Sequence, residues 1–282
     1  MPPSTDSFSG EAILDSKVTI ASRFRPFAED LDHPQTQWES DIDEHFRNIF
    51  KISALMEASI VDEAATRTLQ IIGNPTKLRM RGLAMACFLH WTRLQFESGN
   101  VNAGADKITS FIGRICRHLS GVSVRARLDF EDELCSLCIE KLHLIWRWFV
   151  DASAGKEPPL PRESLLGRIM AIVPMLGHLF RGGHVQHEVV LHTLHYLAMF
   201  LPSPDALRTI NAILLNVGPA FYTQDGCRFL HDILMKLQVF TMKQSYVDPL
   251  CQLARTTQRL VKEWQMIRPH LMRIVVPITV LR

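Results

Sequence analysis

Residues 175–197 read MLGHLFRGGHVQHEVVLHTLHYL. Apolar residues recur at three- and four-residue steps as far as Phe180, glycines stand at 182 and 183, and the same period resumes from Val185. This predicts a helix that ends, a tight turn and a second helix. A period near 3.6 lays apolar side chains on one face, and a glycine pair breaks the ladder between two such faces. A connection this short favours antiparallel neighbours.

The same punctuation extends in both directions. Toward the C-terminus, helical periods run over about 204–217, 224–240 and 247–266, with breaks at Pro202, Gly218-Pro219 and Pro249. Toward the N-terminus, the segment DASAGKEPPLP (151–161) excludes both helix and sheet, and helices are expected on either side of it, over about 128–150 and 164–180. Further helices are expected over 105–119, 76–96 and 60–72, the last stopped by Gly73-Asn74-Pro75, and another begins near Gln37. The segment SGVS (120–123) reads as a loop.

No alternation of polar and apolar residues bounded by hairpin turns interrupts this series. The expected class is all-α, about ten helices forming about five antiparallel pairs. Pairs too small to bury their own apolar faces stack into an α-solenoid of the HEAT kind; a compact bundle is the alternative. Residues 1–36, rich in Pro, Ser and Asp, read as a mobile leader, 37–268 as the helical domain and 269–282 as a C-terminal tail.

Composition narrows the function classes. The formal net charge of +2 conceals an asymmetry: residues 1–74 carry 13 acidic and 6 basic side chains, residues 75–282 carry 16 and 25. A basic body behind an acidic front is compatible with a polyanionic partner. The six cysteines mostly fall inside apolar helical patterns, which suits a reducing compartment. No uninterrupted apolar run approaches the roughly 20 residues of a membrane span. The expectation is an intracellular protein, cytoplasmic or, alternatively, nuclear, without a membrane partner.

Five histidines fall between His178 and His195, and Glu188, His192 and His195 have the spacing of helical metal ligands. The sequence HVQHE is not the HExxH of zinc proteases, however, and Val189, Val190, Leu191, Leu194 and Leu197 already form a packing stripe. The favoured reading is histidines at the rim and ends of a core helix, with no metal. Cys135 and Cys138 form a CxxC inside a helix pattern with no second pair, and read as core. No GxSxG, glycine-rich phosphate loop or recognisable carboxylate pair is present, so no catalytic residue or cofactor is assigned. Trp146, Trp148 and Phe149 could stack bases, but aromatics ending an amphipathic helix more often pack inside.

Two basic groups remain: Lys77, Arg79 and Arg81, and Arg114, Arg117, Arg125 and Arg127. Such residues usually form a solvated face; at the loop ends of stacked helices they could also track phosphates.

Several segments together resemble the middle domain of eukaryotic translation initiation factor 4 gamma, a HEAT-repeat fold. IGRIC at Ile112–Cys116 resembles that family's YARLC, with Leu119 following as there. Phe130, Leu134 and Cys138 keep a family spacing, with Glu133 in place of a leucine. MLGHLF at Met175–Phe180 resembles FIGELF, and Ile213, Leu214 and Gly218 follow the family's later leucine pair and glycine. In this resemblance His178 replaces a glutamate on the exposed side, and His184 and His187 fall at the turn and the first coil of the next helix. Pro174 and Arg208 depart from the family pattern, and the insertion between the third and fourth pairs is reduced to 151–161.

The resemblance implies a non-enzymatic scaffold or adaptor in translation initiation or mRNA metabolism. It implies partners in a DEAD-box RNA helicase of the initiation factor 4A type, in RNA, and in other initiation or cap-complex proteins. The scaffold would touch both helicase lobes and favour their closed arrangement by differential binding. Lys77, Arg79, Arg81, Arg125 and Arg127 are the candidate RNA contacts. The alternatives are a HEAT-type adaptor that binds no RNA, and a helical metal-dependent enzyme built on the cluster from His178 to His195.

Overall fold

The computed structural model describes residues 37–51, 58–98, 105–156, 160–241 and 248–271. The expected leader and nearly all of the expected tail lie outside the described residues. Within them the chain forms α1 (Gln37–Lys51), α2 (Ala58–Ile72), α3 (Lys77–Ser98), α4 (Ala105–Val122), α5 (Val124–Ser153), α6 (Arg162–Arg181), α7 (His187–Ala198), α8 (Pro204–Val217), α9 (Gln224–Thr241) and α10 (Pro249–Ile267). A short 3-10 turn, Gly218–Phe221, follows α8, and no strand occurs among the described residues.

Local chemistry fixes the joints. Gly73, at φ +62°, ends α2 in the left-handed region that only glycine adopts cheaply, and its N–H returns to the carbonyl of Leu69 at 2.9 Å. Asp248 accepts from the N–H of Leu250 at 2.7 Å and starts α10, with Pro249 in the first turn where its missing N–H costs nothing.

The loop expected at 120–123 shrinks to one residue. Helix α4 continues through Val122 and α5 begins at Val124, because Ser123 alone turns extended and its hydroxyl accepts from the N–H of Ala126 at 3.3 Å. Sequence punctuation ended α4 too early, because Ser120 and Gly121 continue the helix, the Ser120 hydroxyl donating to the carbonyl of Cys116 at 2.9 Å.

The helices stack as two layers in chain order. One layer holds α1, α3, α5, α7 and α9, the other α2, α4, α6, α8 and α10, and α2 packs on α4, α4 on α6, α6 on α8, α8 on α10. In the first layer α1 packs on α3, α3 on α5 and α7 on α9, while aromatic side chains span the step from α5 to α7: His143 meets Tyr196 at a ring separation of 4.1 Å and Trp146 meets Phe200 at 5.7 Å. This is the stacked-hairpin architecture expected from the sequence. The second pair departs from uniform pairing, since α3 packs most heavily on α5 and also reaches α6.

A single apolar cluster runs from Ile42 to Trp264 through all five pairs. Trp146 and Phe149 are buried in it, as are Cys138 and Cys116, so the aromatic run and the CxxC are packing features. Helix α6 lies at the centre. By length and composition it would pass as a membrane span, although charged residues and a proline interrupt its apolar sequence, but most of its apolar stretch is buried inside the fold. Its apolar surface faces α3, α4, α5 and α8. At Gly177 a Cβ would stand 2.8 Å from the backbone carbonyl carbon of Asn216, so α6 and α8 approach closely there.

Candidate functional site

Helix starts and turns set the environment of each candidate residue. Lys77 and Arg81, in the first turns of α3, are exposed. Arg79 between them is not a solvated cation: its Nη1 donates to the carbonyl of Ile72, closing the end of α2, and its guanidinium lies 5.7 Å over the Trp38 ring of α1.

Arg125 and Arg127 lie in the first turn of α5 rather than in a loop. Arg125 is 78% exposed and meets Asp129 at 2.9 Å; Arg127 turns inward, with Nε 3.7 Å from Glu131. The Arg127 Nε is buried without a hydrogen-bond partner among the described residues. The structure thus directs the two basic groups to different neighbours: Arg79 to the first pair, Arg127 to the region between α4 and the turn after α6.

That turn carries His184, whose Nδ1 lies 2.8 Å from the Glu131 carboxylate of α5. The thiol of Cys116 on α4 lies beside the same carboxylate. Donor atoms of Cys116, Glu131 and His184 all lie within 4.8 Å of one another, a Cys/Glu/His set of the kind that can ligate a metal. In the observed arrangement the carboxylate collects the imidazole, the thiol and the Arg127 guanidinium. Burial, first, and then the Glu131 charge hold the Cys116 thiol in its protonated form.

The remaining histidines disperse. His178 is 7% exposed, which corrects its expected place on the exposed side; it lies beneath Trp91, and Arg181 Nη2 donates to its Nδ1 at 2.7 Å. His187 stacks on Phe221 at 5.0 Å, with its Nε2 2.9 Å from the Thr223 hydroxyl. His195 meets the edge of Phe229 at 4.9 Å, and burial lowers its pKa. Glu188 and His192 are exposed on α7. The spacing of Glu188, His192 and His195 therefore does not become a ligand set, and only His184 joins a possible one.

What the sequence reading missed is a cleft of about 610 Å³ between α4 and the end of α6. It is lined by Arg114 and Arg117 from α4, by His178 and Arg181 from α6, and by His184 from the turn, with Thr109, Ser110, Gly113 and Gly182 completing it. Arg114 and Arg117 were visible as basic residues in the sequence. Arg181 was not grouped with them, because 64 positions of chain separate it from Arg117 and no local pattern joins them. Arg114 also holds Asp62 of α2 at 2.9 Å.

No family model matches the chain, and no curated protein matches it. Among solved structures it is similar to the MIF4G domain of Trypanosoma cruzi translation initiation factor EIF4G5, with 15% sequence identity and a TM-score of 0.47, over 80% of this chain and 98% of that one.

Proposed function

We propose that the unit at 37–268 is a non-enzymatic scaffold in translation initiation or mRNA metabolism, working in the cytoplasm, that holds a DEAD-box RNA helicase of the initiation factor 4A type and contacts RNA. The observation that carries this reading is where the family-like motifs fall in the fold. Ile112, Cys116, Phe130, Leu134, Cys138, Met175, Leu176, Leu179, Ile213 and Leu214 are all buried, on α4, α5, α6 and α8 in chain order. They are the residues through which successive pairs stack, so the resemblance lies in the packing grammar and not in scattered surface coincidences.

Stacked pairs suit a scaffold, whose work is to present surface along its length. RNA contact is supported by the exposure of Lys77, Arg81 and Arg125 at helix starts, where flexible cations can reach a phosphate chain. The departure at Arg208 lies on the exposed face of α8, paired with Asp205 at 3.0 Å, and there a partner surface would differ from the family's.

Capture on immobilised protein of a purified DEAD-box helicase of this type, with and without ATP analogue and RNA, tests the reading. ATP- and RNA-dependent retention is expected; no retention under any nucleotide condition overturns the helicase partner. A second reading, a HEAT-type adaptor without RNA, is favoured by the engagement of Arg79, Arg125 and Arg127 with groups of this chain. Retention of helicase with no measurable affinity for single-stranded RNA would select it.

A further inference from the structure

We propose that the cleft between α4 and the end of α6 is a phosphate-binding site. Three guanidinium groups, Arg114, Arg117 and Arg181, and two imidazoles, His178 and His184, line one concavity of about 610 Å³ with the hydroxyl-bearing Thr109 and Ser110. Among the described residues, no carboxylate and no aromatic hydrocarbon ring lines it. Planar donor forks and hydroxyls suit the oxygens of a phosphate, while the absence of a stacking ring argues against recognition of a base.

The site is also held in shape. His184 is fixed by the bond of its Nδ1 to Glu131, so its ring keeps one orientation at the mouth, and Arg181 is braced on His178. Gly182 makes room for this: a Cβ there would stand 2.8 Å from the His184 ring carbon Cδ2. Asp62 is paired with Arg114, and Glu131 faces His184 and Arg127. Arg117 is exposed and meets no carboxylate among the described residues. The cleft therefore keeps the Arg117 guanidinium open to a ligand.

The ligand is a phosphate group borne either by a nucleic-acid backbone or by a small phosphorylated molecule. The proposal rests on the cleft alone, so the helicase reading can fail without affecting it.

The test is calorimetric titration of the full chain with inorganic pyrophosphate at low salt, with fluorescence anisotropy of a labelled twelve-residue oligouridylate in parallel. Arg117→Gln and the Arg117→Gln/Arg181→Gln pair are compared with Arg228→Gln, an exposed arginine of α9 far along the chain. Pyrophosphate affinity falling about tenfold or more in the cleft variants, and unchanged in Arg228→Gln, is the expected result. Parallel loss of oligouridylate affinity identifies a backbone phosphate as the source; retention of it identifies a small phosphorylated ligand. If the wild-type chain binds neither probe, or Arg117→Gln binds both as the wild type does, the proposal is wrong. Arg117 is a surface residue, so its single variant remains informative should the double variant lose its fold.

Discussion

The indole Nε1 of Trp91 donates to the main-chain carbonyl of Ala171, 2.8 Å away and three residues before Pro174. Proline cannot return an N–H to the carbonyl of Met170, so α6 lacks one rung of its ladder in the middle of the core. An indole from α3 meets the helix at the same turn. The bond ties α3 to the proline-bearing turn of α6 across 80 positions of chain.

Trp91→Phe should therefore destabilise the protein beyond the loss of packing. It removes the Nε1 donor to the buried Ala171 carbonyl, at a cost of about 0.5–1.5 kcal/mol. Urea unfolding followed by circular dichroism measures this. A midpoint equal to the wild type's would show that the bond contributes nothing.

Gly177→Ala should also destabilise, by about 1–3 kcal/mol, because the added methyl meets the main chain of α8 at Asn216 and neither helix backbone can yield cheaply. Gly121→Ala, where a Cβ would meet nothing within 4 Å, should be neutral or slightly stabilising. The comparison of the two melting curves separates close approach from the general effect of removing a glycine.

Replacement of Lys77, Arg79, Arg81, Arg125 and Arg127 by alanine should weaken binding to single-stranded RNA and flatten its salt dependence, by about 0.7 in the logarithmic slope for each phosphate left without its cation. Arg79→Ala alone should in addition lower stability, since it closes α2 and covers Trp38. Unchanged affinity and slope in the fivefold variant would exclude these residues as the RNA-binding surface.

Stability should fall as pH drops below about 6.5, the ordinary value for histidine. Burial lowers the pKa of His45, against the opposing effect of its bond to the carbonyl of Ala64, and burial likewise lowers that of His195. The unfolded chain then binds more protons than the folded one between the ordinary and the folded values. Stability attributable to these groups is complete above that window and is lost on descending through it. Denaturant unfolding at pH 7.5 and 5.5 should show a smaller pH difference for His45→Gln than for the wild type, and an equal difference would refute the assignment.

Thiol chemistry should be slow in the folded state. Burial pushes the thiol of Cys135 up to about 11 and those of Cys87, Cys116 and Cys138 higher still. An aromatic disulfide reagent at neutral pH should titrate these cysteines only after unfolding. Rapid modification of Cys116 in the native protein would show that its buried site opens readily.

The order and type of the helices were settled by the sequence alone, because each helix must bury one stripe, and a stripe of period 3.6 with Gly or Pro at its ends is a local property. Pro204–Val217 begins and ends where its pattern does. The reading of Trp146 and Cys138 as packing residues, and of the α7 histidines as residues at the rim and ends of that helix, rested on the same local stripe. Grouping across pairs was beyond it. Nothing local joins Arg181 to Arg114 and Arg117, directs Arg79 inward, or sets His184 beside Glu131 and Cys116, since those relations depend on how far one pair is displaced and turned on the next. That displacement is chosen by close approaches such as Gly177 on α8 and Trp91 on α6, which exist only once the layers have formed.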